Sequence, residues 1–180
     1  MLNSIIEKEK LHLITDVPGY SPNIGRLICM MNYARFSTLH SVKGLTLKEL
    51  DHQFDDKSNS IGALLLHIAA VDFYYQKLSL EEIEASQEEI DKWECALDLG
   101  DSSRNEIKGN DLNFYITTLN EIRSCTYELM KEKDDEWLEK KRKFGNSDVN
   151  NYWIWFHVFE DEINHRGQIS WLRKRLPALQ

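Results

Sequence analysis

The chain contains only three prolines, Pro18, Pro22 and Pro177, and all lie near its ends. Proline inside a helix removes a backbone donor and clashes with the preceding turn, so residues 23–176 contain none of the strongest helix breaker. No run of alternating β-branched residues marks a strand. The chain therefore reads as helices joined by polar loops. At 180 residues it suits one domain spanning 1–180. A chain of that length buries roughly 70% of its unfolded surface, so it needs neither a disulfide nor a metal merely to fold.

A first helix is predicted from Ser21 or Asn23 to about His40, after the Pro18-Gly19 turn, with Ile24, Leu27, Ile28, Met31 and Ala34 at helical spacing. TLKELD (46–51) reads as a short helical turn and QFDDKSN (53–59) as a polar loop. Asn59 or Ser60 caps a second helix, whose stripe of Ile61, Leu64, Leu65, Ile68, Val71, Tyr75 and Leu78 ends near Leu78. Residues 79–98 hold eight carboxylates against Lys92 and read as an exposed acidic helix with a weak inner face at Ile83, Ile90 and Leu97. Residues 100–110 read as a loop. A third helix spans about 111–131, with Leu112, Tyr115, Ile116, Leu119, Ile122 and Leu129 inward and Cys125 as a packing residue. In the charged segment 132–150, Trp137 and Leu138 are the anchors and Gly145-Asn146 the turn. A fourth helix spans about 151–175, before Pro177. These elements describe an all-α four-helix bundle with a long crossover that carries an extra acidic helix.

Lys and Arg number 22 against 30 Asp and Glu, a net charge of −8. That balance opposes sequence-independent nucleic-acid binding and docking on anionic lipid, both of which need a basic surface. No apolar run approaches the ~20 residues of a membrane span. The first sixteen residues are too charged for a signal peptide. Cys29, Cys95 and Cys125 are widely spaced and form no CxxC. These features point to a soluble protein of the reducing cytoplasm, with no nucleic-acid or membrane partner.

The last helix carries the candidate chemistry. At about 100° per residue, Ile154, Val158, Ile169, Leu172 and Leu176 fall within roughly 60° of one another. Asp161 and His165 fall in the middle of that apolar stripe, and His157 lies one turn before Asp161 at its edge. Buried ionisable groups cost several kcal/mol unless paired, hydrogen-bonded or metal-bound. Side chains at i and i+4 share a face, so Asp161 and His165 can clasp one cation; a simple hydrogen-bonded pair also satisfies the pattern. His67, in the middle of the second helix, is the best third ligand. A His-Asp-His set leaves positions open, as catalytic metals do. Gln168 projects near the ladder and suits a supporting or substrate-facing role, whereas Arg166 points elsewhere, toward an interface or a salt bridge. Gly167 in mid-helix is explained either by close approach of another backbone or by simple tolerance.

Other templates are weaker. HExxH, GxSxG, the P-loop and GxGxxG are absent. Glu162/His165, Glu9/His12 and Glu49/His52 fit the ExxH unit of di-iron bundles, but two of these lie in polar segments, so chance explains the pattern. His12, His40 and His52 read as surface residues.

Three segments carry a family resemblance: GRLICMMNYARFSTLHSVKGLTLKELD (25–51), NSIGALLLHIAAVD (59–72) and WFHVFEDEINHRGQISWLRKRL (155–176). With them the chain resembles the DinB-like (DinB/YfiT) superfamily of metal-dependent bundle proteins. The resemblance implies a four-helix bundle with one long crossover, often a homodimer, and a divalent metal held by three His. Those positions carry over to His67, His165 and Asp161, the last standing where the family usually has His. Asp is a competent oxygen ligand that favours harder metals, so Ni, Zn, Mn and Fe all remain in play. Activities in the superfamily include transferases and isomerases that use small thiols.

Two functions are therefore expected to compete. One is a divalent-metal-dependent enzyme, either a low-molecular-weight-thiol S-transferase or a hydrolase, using His67, Asp161 and His165 with His157 and Gln168 in support. The other is a metal-free helical homodimer acting as a small-molecule-binding or structural module. The second draws on the His-to-Asp departure and on Trp153, Trp155, Phe156, Phe159 and Trp171, which exceed what one inner face needs.

Overall fold

The computed structural model describes residues 11–177. Glu9, half of one Glu-x-x-His pair, lies outside them. Helix α1 spans Pro22–Val42 and starts with proline where the missing N–H costs nothing. The short α2, Leu47–Leu50, is closed by a reciprocal Thr46–Glu49 capping box. Helix α3 spans Ile61–Tyr75, and Ser60 is its cap, accepting the Ala63 N–H at 3.1 Å. It runs on into a π-helical turn, Gln76–Glu81, that stops at Glu82 in the left-handed region (φ 55°). Helix α4 spans Gln87–Asp98, α5 Asp101–Glu106, α6 Leu112–Met130 and α7 Asp135–Glu139. A hairpin of β1, Lys141–Phe144, and β2, Ser147–Asn150, precedes α8, Asn151–Arg173.

Helices α1, α3, α6 and α8 form the predicted all-α bundle. Cross-links fix their directions. Arg35 meets Glu162 and Arg173 bonds the Ser41 carbonyl, so α1 and α8 run parallel. Gly62 abuts Tyr115 and Gln76 reaches Thr126, so α3 and α6 also run parallel. His67 faces Asp161 while Tyr75 packs on His157, so α3 and α8 are antiparallel. The order is up-down-down-up, and the crossover from α3 to α6 carries the acidic α4. Gly62 is needed here: a Cβ would lie 2.5 Å from the Tyr115 hydroxyl.

The apolar core has two lobes. One gathers Ile24, Leu27, Ile28, Met31, Trp155 and Val158. The other gathers Leu50, Ile61, Leu64, Ile68, Leu119 and Ile169. Along α1, α6 and α8 the boundary falls at Arg35, Arg123 and Glu162, which are buried and joined by Asp72 of α3. A layer of two cations and two carboxylates therefore divides the lobes.

Several local expectations are corrected. Residues 141–150 form a hairpin, with Gly145 (φ 58°) in its turn, although their charged sequence shows no strand alternation. Residues 101–106 are helical rather than loop. The inner face of α4 is Trp93 and Ala96, while Ile83 and Ile90 are exposed, because α4 meets α3 through the bulkiest ring available. The third helix turns Arg123, Thr126, Tyr127 and Met130 inward, and Cys125 outward. Gly167 has nothing within 4 Å of a Cβ position, so no backbone approaches it among the described residues. No described helix is long and apolar enough to cross a membrane.

Candidate metal centre

Helices α3 and α8 cross so that His67 projects onto the face holding Asp161 and His165. The His67 Nε2 lies 3.7 Å from Asp161 Oδ2, and the His165 Nε2 lies 3.3 Å from Asp161 Oδ1. The two imidazoles meet edge to face at 4.7 Å. One ligand atom from each residue falls within 4.8 Å of the others. Ligands bonded at ~2.0–2.2 Å to a shared cation sit roughly 3–4 Å apart, a spacing the two imidazole–carboxylate distances match. Both histidines are 9% exposed, so the cluster is nearly dry.

The protons decide what the cluster is built to hold. His67 Nδ1 lies 2.9 Å from the Ala96 carbonyl of α4. A carbonyl only accepts, so Nδ1 carries the proton. Burial is the largest influence on His67 and lowers its pKa; the Ala96 bond and the Asp161 charge oppose this, and His165 adds to it. The ring is therefore neutral at pH 7, and its Nε2 turns a lone pair toward a carboxylate. His165 repeats the arrangement more loosely, with Nδ1 3.4 Å from Gln168 Oε1. Asp161 Oδ2 is buried and has no hydrogen-bond partner. Two lone pairs and an orphaned carboxylate oxygen converging on one point repel one another unless a cation lies between them. The residues fit a divalent metal, with Gln168 and the Ala96 carbonyl orienting its two imidazoles.

His157 stands one turn away with partners of its own. Its Nδ1 is 3.2 Å from Glu160 Oε2, its ring stacks on Trp153 at 5.1 Å, and it meets Tyr75 at 5.8 Å. Burial, then Tyr74, then Asp161 push the Tyr75 hydroxyl up to about 12, so it stays protonated beside the centre. Arg166 turns to Ser37 of α1, away from the centre. A groove of about 590 Å³ bounded by Asn59, Leu64, Gly167, Gln168 and Trp171 opens beside the Gln168 end.

The sequence reading passed over Arg35, Arg123 and Asp72, and met Glu162 only as half of an ExxH pattern. Arg35 Nε donates to Glu162 Oε1 at 2.8 Å, and Arg123 Nη2 donates to Glu162 Oε2 at 3.0 Å. Arg123 Nε also donates to Asp72 Oδ2. Burial would raise the Glu162 pKa, but Arg35 and Arg123 outweigh it and hold the carboxyl below its ordinary value. The signal was available, since Arg35 and Arg123 each fall on an apolar helix face, but nothing local says which acid each one meets. Glu162 therefore serves this layer, and the Glu162/His165 ExxH pattern is coincidental, as read.

A family model described as mycothiol-S-transferase matches residues 26–178. The chain belongs to the mycothiol-S-transferase family. This is a DinB/YfiT-like family, in line with the resemblance read from the three sequence segments. The mycothiol-S-transferase match contains all three residues of the cluster and the whole buried ionic layer, and it runs through the acidic crossover that the three segments leave out. No curated protein matches the chain.

Proposed function

We propose that this protein is a divalent-metal-dependent S-transferase acting on a low-molecular-weight thiol, with mycothiol the thiol suggested by its family. The carrying observation is the Asp161 carboxylate, caught between two imidazole Nε2 atoms with its Oδ2 buried and unbonded. His67, Asp161 and His165 would hold the metal, and two nitrogens with one oxygen suit Zn, Ni, Mn or Fe(II). Once bound, the metal supplies Lewis acidity that lowers the pKa of a thiol nearby.

The chain's own residues do the rest. The Ala96 carbonyl and Gln168 fix the proton on each Nδ1 and so keep both Nε2 atoms free. The burial of His67 and His165 excludes water that would compete with the thiol. Tyr75 offers a protonated phenol within electrostatic reach of Asp161, and His157 packs edge to face against its ring. In the transfer, the thiol's sulfur bonds to an electrophilic carbon as the carbon's bond to the leaving group breaks. The leaving group departs with that electron pair and takes up the proton the thiol gives off.

The test is metal content by mass spectrometry on untagged protein, titrated with Ni, Zn, Mn and Fe(II). One equivalent bound by the parent and lost in both Asp161→Asn and His165→Ala is expected. Metal-dependent consumption of mycothiol with an alkylating electrophile should follow. Unchanged metal content in His165→Ala would overturn the site.

A second reading, self-association, is supported by exposed aromatic and aliphatic residues on the parallel neighbours α1 and α8. Tyr33, Phe36, Phe156 and Ile163 are 44%, 38%, 46% and 36% exposed. We propose that this face joins two copies; sedimentation showing only monomer at micromolar concentration would refute it.

A further inference from the structure

The cleft between α3, the π-helical turn and α4 takes no part in the metal centre. It encloses about 460 Å³ and is walled by Phe73, Tyr74, Leu78, Ile83, Ile90 and Trp93. Phe73 and Trp93 stack with centroids 5.3 Å apart, giving an aromatic wall. Ile83, Ile90 and Tyr74 are 53%, 42% and 42% exposed, so two isoleucines of the acidic segment and Tyr74 of α3 face this cleft, while Trp93 is buried at its base. That arrangement is not what a merely solvated helix face requires.

The rim is acidic. Glu84, Glu89, Glu94 and Asp98 border the cleft with one cation, Lys77. Lys77 is already held by Glu81 at 3.1 Å and Glu89 at 2.8 Å. Glu84, Glu94 and Asp98 are exposed and pair with no described cation. Asp98 ends α4, Glu94 lies one turn earlier, and the last turn holds no basic residue. A helix C-terminus already carries partial negative charge, so carboxylates there oppose the helix and add to the negative potential at the cleft. A local rule broken without a compensating contact marks a functional surface.

We propose that this cleft binds an apolar organic cation, an arylalkyl amine or a quaternary ammonium compound. The hydrocarbon part lies against Phe73, Tyr74, Ile83 and Ile90; the Phe73 and Trp93 ring faces already carry Lys77 and Lys92, at 5.5 and 5.0 Å, so they take no share of the ligand's charge. The charge lies at the Glu94–Asp98 rim. The same rim repels an apolar carboxylate and contributes nothing to a neutral ligand.

Calorimetry with 4-phenylbutylamine, 4-phenylbutanol and 4-phenylbutyrate tests this, because the three share one hydrocarbon and differ in charge. The amine should bind one-to-one, at least tenfold tighter than the alcohol, and weaken as salt is added. The double variant Glu94→Lys/Asp98→Lys should lose at least tenfold in amine affinity. It should also keep its fold, because lysine suits a helix C-terminus. Ala85→Trp, which fills the cleft, should abolish binding, whereas His165→Ala should bind the amine as the parent does. Equal affinity for amine and alcohol, an unchanged affinity in the double variant, or loss in His165→Ala would each overturn the proposal.

Discussion

Replacing Glu162 by Gln removes one negative charge from a buried layer of two arginines and two carboxylates, leaving Asp72 bonded to Arg123 and Arg35 without a carboxylate partner. Breaking a buried ion pair by removing one partner costs about 3–5 kcal/mol. At about 2–4 °C per kcal/mol for a chain of this size, Tm should fall by roughly 6–20 °C. The pH dependence gives a sharper test. Burial raises the Glu162 pKa, but the two arginines outweigh it and bring it below its ordinary 4.5. Because the folded value lies below the unfolded one, the contribution is complete above the unfolded pKa. It is lost as pH falls through the folded value. Native protein and E162Q should therefore differ most near neutrality, begin to converge as pH falls past 4.5, and become alike only below the folded value, where protonated Glu162 resembles Gln. Thermal melts followed by circular dichroism between pH 3 and 7 measure this. A gap under ~1 kcal/mol at pH 7, or one that does not narrow in acid, would refute the assignment of Glu162 as the charge that joins the two arginines.

Three further outcomes are expected. Gly62→Ala brings a Cβ to 2.5 Å from the Tyr115 hydroxyl and 2.8 Å from its Cζ. Overpacking of this kind costs about 1–3 kcal/mol, and a urea-unfolding cycle with Tyr115→Phe should recover part of the loss. Gly167→Ala meets open space on α8 and should stabilise by about 0.5–1 kcal/mol in the same assay. Gln168→Ala removes the acceptor 3.4 Å from His165 Nδ1. It should weaken divalent-metal affinity about tenfold, with the melting of metal-free protein unchanged because Gln168 is exposed.

Much of the bundle was legible because its signals are short in range. Ser60 caps α3 as a single residue placed before an apolar stripe. Asp161 and His165 could be paired from sequence because one helical turn separates them and one backbone carries both. The hairpin at 141–150 was missed for the opposite reason. Its pairing rests on β1 and β2 bonding each other, and its charged residues carry no alternation to announce a strand. The inner face of α4 was misjudged because a surface helix with few apolar residues has two plausible faces. Packing of Trp93 on Phe73 chose between them.

The sequence by itself determined that this chain is helical, roughly where its four long bundle helices lie, and that α8 carries an acid and a histidine inside an apolar stripe. Each of these follows from spacing along a single backbone. The tertiary structure alone decided what those side chains meet. It brought His67 to Asp161, supplied the Ala96 carbonyl that fixes the His67 proton, and joined Arg35, Arg123, Asp72 and Glu162 into one neutral layer. A buried charge says only that it needs a partner. Which partner it finds depends on helices far apart in the chain, and no local periodicity records that.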